Sequence, residues 1–324
     1  MRRAVSSLLF FAVGATWFVA SSCGTTPSVA TVPAAGSCDT KARGAGASCG
    51  PDAVDDCCAA ASVSGGKFTL GVGNDGFGIA GATPTVSPFR FDTYEVTVGR
   101  FRTFVGAYDG WKPVAGGGAH PKILGSGWQA GWPLSADSTT LKAALLACAG
   151  GTWTDASGAN EGKPITCITW YELFAFCTWD GGRIPTMTEH AYVAYGGDEQ
   201  RSYPWSVPPD AGIDDQHAVY TPEGGAPRAA PEKVGSRPAG VGKWGQLDLA
   251  GNAGEWVLDK YPPDPFPVPA TACVDCAVIA PPITQRVVQG GSYTEGGPNA
   301  LQSFYILGAD PLERHPTRGG RCAR

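Results

Sequence analysis

The sequence predicts a loop-rich domain that combines a few short helices with short strands and is crosslinked by disulfide bonds. Glycine and proline supply 46 and 27 of the 324 residues, and both favour turns over regular structure. Hydrophobic residues make up 43% of the chain, which is enough to bury a sizeable core. A helical bundle, a coiled coil and a regular doubly wound sheet are therefore disfavoured, and a wholly disordered chain is excluded.

Helix-start signals are few. Thr97 precedes apolar residues at helical spacing and predicts one helix. Thr169 with Glu172, and Thr186 with Glu189, have the spacing of a capping box, in which the threonine caps the helix and the glutamate bonds back to it. These pairs predict two further helices.

Short strands are predicted at 67–70, 89–94 and 286–289, where β-branched or aromatic residues lie between turn residues. The sequence predicts loop for the rest of the chain and contains no internal repeat.

Residues 1–22 have the composition of a secretory signal peptide, since two arginines precede an apolar stretch that ends in small residues. These small residues precede Cys23 and resemble a bacterial lipoprotein cleavage box, although Ala20 occupies the usual leucine position. We expect lipidation of Cys23, and ordinary cleavage after Ser22 is the alternative. The predicted location is the cell envelope if Cys23 is acylated, and otherwise the periplasm or the medium.

Net charge limits the partners that the chain can bind. Lysine and arginine total 24 against 29 acidic residues, which gives a charge of −5 without any basic cluster. Nucleic-acid binding is therefore not expected. No later segment is apolar enough to span a bilayer, so membrane contact is expected only through an N-terminal lipid.

Ten cysteines follow Cys23, an even number that suits pairing in an oxidising compartment. Residues 23–36 predict a flexible tether, residues 37–60 a cysteine-rich cap, and residues 61–324 the main domain. Two disulfides are expected in the cap, with the pairing left open, among Cys38, Cys49, Cys57 and Cys58. Cys273 and Cys276 have the spacing of a redox dithiol, but the prolines before them favour a structural crosslink.

An oxygen-rich turn lies at 245–256. Asp248 and Glu255 are seven residues apart, and the small residues between them allow backbone carbonyls to turn inward. Ligands that are all oxygen suit Ca²⁺, which takes six to eight of them. A glycine-rich turn without a metal is the simpler interpretation of these residues alone.

At this turn the chain resembles the formylglycine-generating enzyme, or sulfatase-modifying factor, family. The matching landmarks occur in the family's order at 65–71, 86–97, 164–179, 182–189, 203–205, 251–256, 290–293 and 320–322. The resemblance implies an irregular α+β fold with little regular secondary structure, related to C-type lectin-like folds.

The resemblance also implies specific residue roles. It places a calcium site on Asp248, the backbone of Gly251 and Ala253, and Glu255. A second family calcium site falls near residues 218–219, where a side-chain ligand is missing, and we expect that site to be lost. The resemblance pairs Cys177 with Cys322, which leaves Cys148 and Cys167 as the natural remaining pair.

The family's oxidase uses two cysteines after its Gly-Gly-Ser-Tyr motif to bind Cu(I), a soft ion that requires thiolates. Here Ser292 and Tyr293 complete that motif, but Glu295 and the 298–300 region occupy the cysteine positions. No cysteine occurs between Cys276 and Cys322. We therefore expect no copper and a former active-site groove around Ser292, Tyr293 and Glu295.

Three functions remain open at this level. The first is a catalytically silent exported protein that binds an envelope protein or glycan in the groove. The second is an oxidase that acts on protein cysteine with displaced ligands, for which Cys273 and Cys276 are the candidates. The third is a purely structural surface lipoprotein, and the sequence does not identify a ligand.

Overall fold

A computed structural model describes residues 36–39, 44–71, 81–207, 212–261, 273–280 and 284–324. These residues belong to one unit that spans Ala34–Arg324. The predicted signal peptide, Cys23 and the tether up to residue 35 lie outside the described residues. No helix among those described is long and apolar enough to cross a membrane.

The described residues contain four α-helices, which are short, and each begins at a side chain that caps it. They are α1 (Val98–Ala107), α2 (Ser138–Ala147), α3 (Trp170–Trp179) and α4 (Met187–Ala194). Thr169 and Thr186 form complete capping boxes with Glu172 and Glu189, as the sequence predicts. Helix α2 has no counterpart among the predicted helices, and Asp137 caps it by accepting a hydrogen bond from the Thr140 amide.

The strands within the described ranges are also short and fall into four small sheets. They are β1 (Ala47–Cys49), β2 (Asp55–Asp56), β3 (Ala60–Val63), β4 (Gly66–Lys67), β5 (Thr85–Val86), β6 (Phe89–Asp92), β7 (Gly254–Lys260), β8 (Arg286–Gln289), β9 (Ile306–Ala309) and β10 (Arg318–Gly319). Strand β8 matches its predicted bounds, and β4 and β6 cover part of theirs. The loop-rich prediction is confirmed.

Strand β7 lies in the only described sheet with more than two strands, whose order is β10-β7-β8-β9. It pairs antiparallel with β8, so that Glu255 faces Gln289 and Lys260 faces Arg286. The sequence predicts a turn at the start of β7 and no strand beyond it. The difference arises because β7 is buried on both faces, so its residues lack the polar–apolar alternation that reveals a half-exposed strand.

The largest apolar core lies between α1, α3 and β7. Phe101 stacks on Phe176 with ring centroids 5.7 Å apart, which joins α1 to α3. Trp170 is fully buried, and its indole Nε1 donates to the Val257 carbonyl at 2.7 Å. That bond fixes α3 against the central strand and satisfies a polar group that burial would otherwise leave unpaired.

The predicted boundary between a cap at 37–60 and a domain at 61–324 falls inside strand β3, which pairs antiparallel with β6 along its whole length. The buried Arg100 guanidinium donates to the Ser37 hydroxyl and to the Cys57 carbonyl. A buried arginine needs such partners to offset lost hydration. The cysteine-rich segment is therefore part of the main domain in this structure.

Candidate functional site

The predicted groove lies where β8 ends and the chain turns sharply. Gly290 and Gly291 have φ values of 88° and 65°, a region that favours glycine. A Cβ atom on Gly291 would lie 2.3 Å from the Ala300 carbonyl oxygen, so any other residue would collide there. The turn places Ser292 and Tyr293 in the interior, where both are almost completely buried.

Hydrogen bonds join the residues after this turn to two neighbouring loops. The Tyr293 amide donates to the Asn252 carbonyl at 3.0 Å, and the Thr221 hydroxyl donates to the Tyr293 carbonyl at 3.1 Å. The Thr221 amide donates to the Glu295 carbonyl at 3.1 Å. The structure therefore brings the three predicted groove residues together with the 219–252 region.

Glu295 is half-buried and is the acidic residue of this segment. The Ser292 hydroxyl lies 3.4 Å from Glu295 Oε1 and 3.0 Å from the Thr294 hydroxyl. Burial raises the pKa of Glu295, and the Ser292 hydrogen bond opposes that shift. Within the described part of the chain, no basic side chain forms an ion pair with Glu295, so its carboxylate is available to a ligand that donates hydrogen bonds.

Aromatic rings flank the groove segment. Tyr203 and Trp205 stack with an interplanar angle of 6°, and Trp205 also stacks on His217. The Tyr203 hydroxyl donates to the Pro298 carbonyl at 3.2 Å, which places this stack beside the segment that follows Glu295. Sequence reasoning missed these rings as site residues, because only folding brings 203–217 next to 298.

All ten described cysteines form disulfides. The pairs are Cys38–Cys58, Cys49–Cys57, Cys148–Cys167, Cys177–Cys322 and Cys273–Cys276. Cys273 and Cys276, the candidates for displaced copper ligands, are thus bound to each other rather than free. The residues present do not fit the family's Cu(I) site, because Glu295 and its neighbours offer no thiolate.

Cys273 and Cys276 also lie too far from the groove to replace the missing copper ligands there. The Lys260 amide donates to the Val278 carbonyl, so the loop that carries Cys276 lies at the far end of β7. Ser292 lies near Asn252, just before the start of β7. Lys260 lies five positions beyond Glu255 along the strand, which is about 17 Å at about 3.3 Å per residue. The structure therefore does not bring Cys273 and Cys276 to the groove.

The predicted calcium residues lie in a fully buried cluster of charged groups. Arg321 donates to both Glu255 oxygens, with Nε–Oε2 and Nη2–Oε1 distances of 2.8 and 2.6 Å. The His190 Nε2 atom lies 3.2 Å from Glu255 Oε2. Burial disfavours the charged form of Glu255, but Arg321 and His190 outweigh it and lower its pKa to about 2.

Asp248 has a different environment from Glu255. Its Oδ2 atom accepts a hydrogen bond from the Gly235 amide at 2.6 Å, and burial raises its pKa to about 6. The buried Glu95 lies close enough to repel Asp248, and its own pKa is raised well above the usual range, mainly by burial and then by Asp248. Sequence reasoning did not identify Glu95 as part of this cluster.

Charge in this cluster does not balance at Asp248. Glu255 pairs with Arg321 and lies beside His190, and the raised pKa of Glu95 favours its neutral form. Among the described residues no ion pair reaches the buried Asp248, and a buried charge without a partner is costly. A divalent cation at Asp248 fits that excess, whereas Glu255 is already engaged by Arg321. Gly251 and Ala253 lie between the two acids and are buried. The described residues contain no group of three or more histidine, cysteine or acidic side chains that could hold a metal ion by themselves. Any calcium ligation there must use backbone oxygens.

The upstream position that the resemblance compares with a second calcium site is occupied by Ala218 and Val219. Both are buried, and the Val219 carbonyl accepts a hydrogen bond from the Asn252 amide at 2.8 Å. This carbonyl therefore helps to fix the Asn252 turn.

Solved structures define the class of fold. PvdO from Pseudomonas aeruginosa has a TM-score of 0.58 at 19% identity, and the alignment covers 81% of this chain and 92% of that one. Treponema denticola variable protein 1 has a TM-score of 0.52 at 17% identity, with 82% and 94% covered. At these identities the likeness concerns the fold alone.

Sequence comparison defines the family. The profile of the sulfatase-modifying factor enzyme 1-like domain matches residues 47–324, so the chain belongs to that family. The formylglycine-generating enzyme of Streptomyces coelicolor is 28% identical over 259 residues, which is 71% of this chain and 77% of that protein. The inactive C-alpha-formylglycine-generating enzyme 2 of Mus musculus is 26% identical over 226 residues, 62% and 68% of the two chains. The predicted α+β, disulfide-crosslinked fold of this family is thereby confirmed.

Proposed function

We propose that this protein is an exported, lipid-anchored and catalytically silent member of its family that binds an envelope protein or glycan in the groove around Ser292. The observation that carries the proposal is the segment after the Gly-Gly-Ser-Tyr motif, which holds Glu295 and no cysteine. All described cysteines are paired elsewhere. The scaffold is kept while the copper ligands are absent.

Two features of the groove support ligand binding. Glu295 presents a carboxylate without an ion-pair partner among the described residues, and it can accept hydrogen bonds from hydroxyl or amide groups. The Tyr203–Trp205 stack beside it offers flat apolar surface, with Trp205 partly exposed. Sites for small ligands combine apolar walls with a few polar groups that orient the ligand in this way.

Export is supported by the leader composition and by the disulfides. Five disulfides in one domain suit an oxidising compartment and would be unusual in a reducing cytosol. Lipidation at Cys23 rests on the cleavage-box resemblance alone. Metabolic labelling with a fatty acid, compared between wild type and Cys23→Ser, tests it directly.

A calcium ion near Asp248 is a further part of the proposal. The ion would be held by the Asp248 carboxylate and by backbone oxygens such as those of Gly251 and Ala253. It would supply positive charge to a cluster with excess negative charge, and its role would be structural. Glu255 would keep its ion pair with Arg321 in that arrangement.

Binding to defined probes tests the groove. Immobilised wild-type protein is exposed to soluble peptidoglycan fragments, neutral oligosaccharides and short peptides, in parallel with Glu295→Gln. We expect one probe class to bind and Glu295→Gln to weaken that binding, because it removes a charge-assisted acceptor. Asp52→Asn is the matched control, since it removes an exposed negative charge elsewhere. Absence of binding would favour a purely structural lipoprotein, whereas equal binding by Glu295→Gln would show that the ligand does not bind through Glu295.

A further inference from the structure

A cavity of about 290 Å³ opens beside strand β6, and none of its lining residues belongs to the groove. Its volume is near the lower end of the ~300–1,000 Å³ range of small-molecule sites. Four basic residues and one acid contribute to its wall, although the chain as a whole is acidic. The basic residues are His120, Lys122, Arg183 and Arg324, and the acid is Glu189.

In each ion pair at this cavity the cation is the outer partner. The Lys122 side chain is 55% exposed, whereas its partner Asp275 is 1% exposed. Arg324 is 19% exposed, and its partners Asp92 and Asp180 are fully buried. The pairs therefore present their positive ends toward the cavity, which favours an anionic ligand.

His120 and Glu189 fix the inner end of the wall. His120 Nδ1 accepts a hydrogen bond from the Lys122 amide at 3.2 Å, so the ring proton lies on Nε2, which faces Glu189 at 3.5 Å. Arg183 Nη1 donates to Glu189 Oε2 at 2.7 Å. Burial opposes ionisation of Glu189, but the bonds from His120 and Arg183 outweigh it and lower the pKa to about 2. Glu189 is thus already neutralised by protein groups and does not need the ligand.

The Cys273–Cys276 disulfide closes the loop that positions Lys122. Asp275 lies inside this loop, and its carboxylate accepts hydrogen bonds from the Ser87 amide and hydroxyl, both at 2.7 Å. The Lys122 ammonium lies 2.5 Å from the Ser87 hydroxyl and 3.4 Å from Asp275 Oδ2. The ammonium is therefore held at the cavity mouth by a crosslinked support rather than swinging free.

Apolar residues complete the wall. Phe89 is almost buried, and Pro88 and Pro121 lie beside it. A second cavity of about 420 Å³ adjoins the first, shares Pro88, Phe89 and Arg324 with it, and adds the exposed Arg90. The two cavities together give room for a ligand longer than one small ring.

We propose that this cavity binds a sugar-sized organic anion, whose carboxylate or phosphate group contacts Lys122 and whose body lies against Phe89. This site is separate from the groove at Ser292, so it stands whether or not the groove binds a ligand. Lys122 and Arg90 are the donors that remain most open to solvent, and the adjoining cavity lets the anion be one unit of an acidic glycan.

Isothermal titration of the full-length protein with glucuronate, glucose 6-phosphate and neutral glucose tests the site. We expect the two anions to bind and glucose not to bind, and added salt to weaken the binding. The relative affinity of the two anions shows whether carboxylate or phosphate is preferred. Lys122→Met should weaken anion binding about tenfold or more, because a hydrogen bond to a charged group is lost.

Lys142→Met is the matched control, because Lys142 lies on helix α2 and does not line either cavity. Lys142→Met should keep the wild-type melting temperature. Lys122→Met leaves the buried Asp275 with its Ser87 hydrogen bonds but without an ion pair, so it should lower the melting temperature modestly while circular dichroism shows it to be folded. Equal binding of glucose, unchanged binding by Lys122→Met, or no binding of either anion at millimolar concentration would each overturn the proposal. Loss of groove binding in Glu295→Gln with intact anion binding would separate the two sites.

Discussion

The pKa of a buried carboxyl group in this protein depends on whether a guanidinium donates hydrogen bonds to it. Glu189 and Glu255 are buried but bonded to Arg183 and Arg321, and the pKa of each is lowered to about 2. Asp259 is equally buried and accepts only neutral amide donors, so burial raises its pKa to about 6. The same residue type is therefore a fixed anion at one position and a titrating group at another.

The Asp259 environment predicts a pH dependence of stability. Its oxygens accept the Met187 and Val278 amides, both at 2.7 Å. Because its folded pKa is raised above the unfolded value near 3.8, its contribution to stability is complete below about pH 4 and is lost as pH rises through 6. The shift corresponds to about 3 kcal/mol.

Urea unfolding of wild type and Asp259→Asn between pH 4 and 7.5 measures this contribution. The amide cannot ionise, so the variant should be less stable at pH 4 and should lose less stability as pH rises. Other carboxyl groups with raised pKa values titrate in both proteins, so the difference between the two pH profiles reports on Asp259 alone. Parallel pH profiles would show that Asp259 titrates normally.

The charge excess at Asp248 predicts a response to calcium. A ligand that binds only the folded state stabilises it by RT ln(1 + [L]/Kd), about 2.7 kcal/mol at a hundredfold excess over Kd. EDTA should lower the melting temperature, added Ca²⁺ should restore it, and Asp248→Asn should weaken the response. Asp52→Asn, an exposed acid, should respond like wild type. A melting temperature indifferent to chelation would contradict the calcium proposal. Glu255 is a poorer target, because its removal strands the buried Arg321.

At the level of elements, helix starts were predictable and the central strand was not. Thr169 and Thr186 start α3 and α4 because a capping box is a local signal that needs no tertiary contact. Strand β7 is specified by burial on both faces, which depends on α3, α4 and the neighbouring strands. Its sequence shows glycine and acidic residues at the start, and these suggest a turn.

The candidate sites also differ in whether the sequence alone predicts them. Ser292 and Glu295 were found because they follow a recognisable motif in one stretch of chain. The aromatic stack at Tyr203 and the cavity at Lys122 join residues from distant segments, and no single stretch contains their pattern. Their components looked like scattered loop residues until the fold brought them together.

Two disulfides that close loops of very different length allow a test of how loop length affects stability. Cys177 and Cys322 are 145 residues apart and tie α3 to the C-terminal segment, whereas Cys273 and Cys276 are three apart. In the chain-entropy model the long loop contributes ~5 kcal/mol and the short one ~2 kcal/mol. Replacing the first pair by alanine should therefore lower the free energy of unfolding much more than replacing the second.

Denaturant titration of the two double variants gives both free energies. The short-loop variant should remain folded but bind glucuronate more weakly, because Asp275 then loses its crosslinked support for Lys122. Equal losses of stability would show that strain or solvation, rather than loop length, dominates here. Unchanged glucuronate affinity would show that the short disulfide does not position Lys122.

Across the whole molecule, the contacts that stabilise the fold do not involve the segment in which the family's enzymes carry their copper-binding cysteines. Arg100 and Arg324 bind Asp92 and Asp180. The Ser37 amide and hydroxyl also donate to Asp180, so the start and the end of the described chain meet in one network. The Arg321–Glu255 pair and the Cys177–Cys322 bond anchor the C-terminal segment. None of these contacts involves residues 294–300, so replacing the copper ligands leaves the scaffold intact.

This separation predicts a folded protein without formylglycine-generating activity. That chemistry needs a soft metal held by thiolates, and no cysteine occurs between Cys276 and Cys322. No position between the Gly-Gly-Ser-Tyr motif and Cys322 can therefore supply a thiolate. Cys273 and Cys276 are bonded to each other at the opposite end of β7. Positioning a substrate without the metal does not activate O₂.

Purified protein is incubated with Cu(I), O₂ and a sulfatase-type cysteine peptide, and mass spectrometry follows the conversion of thiol to aldehyde. The Streptomyces coelicolor formylglycine-generating enzyme serves as the positive control. We expect conversion no faster than without protein, while circular dichroism shows the same sample to be folded. Turnover that Cys273→Ser abolishes would place a copper site at the disulfide loop. It would also mean that the loop can open and reach substrate from the end of β7 remote from Ser292, so that the chain is an enzyme with a relocated centre.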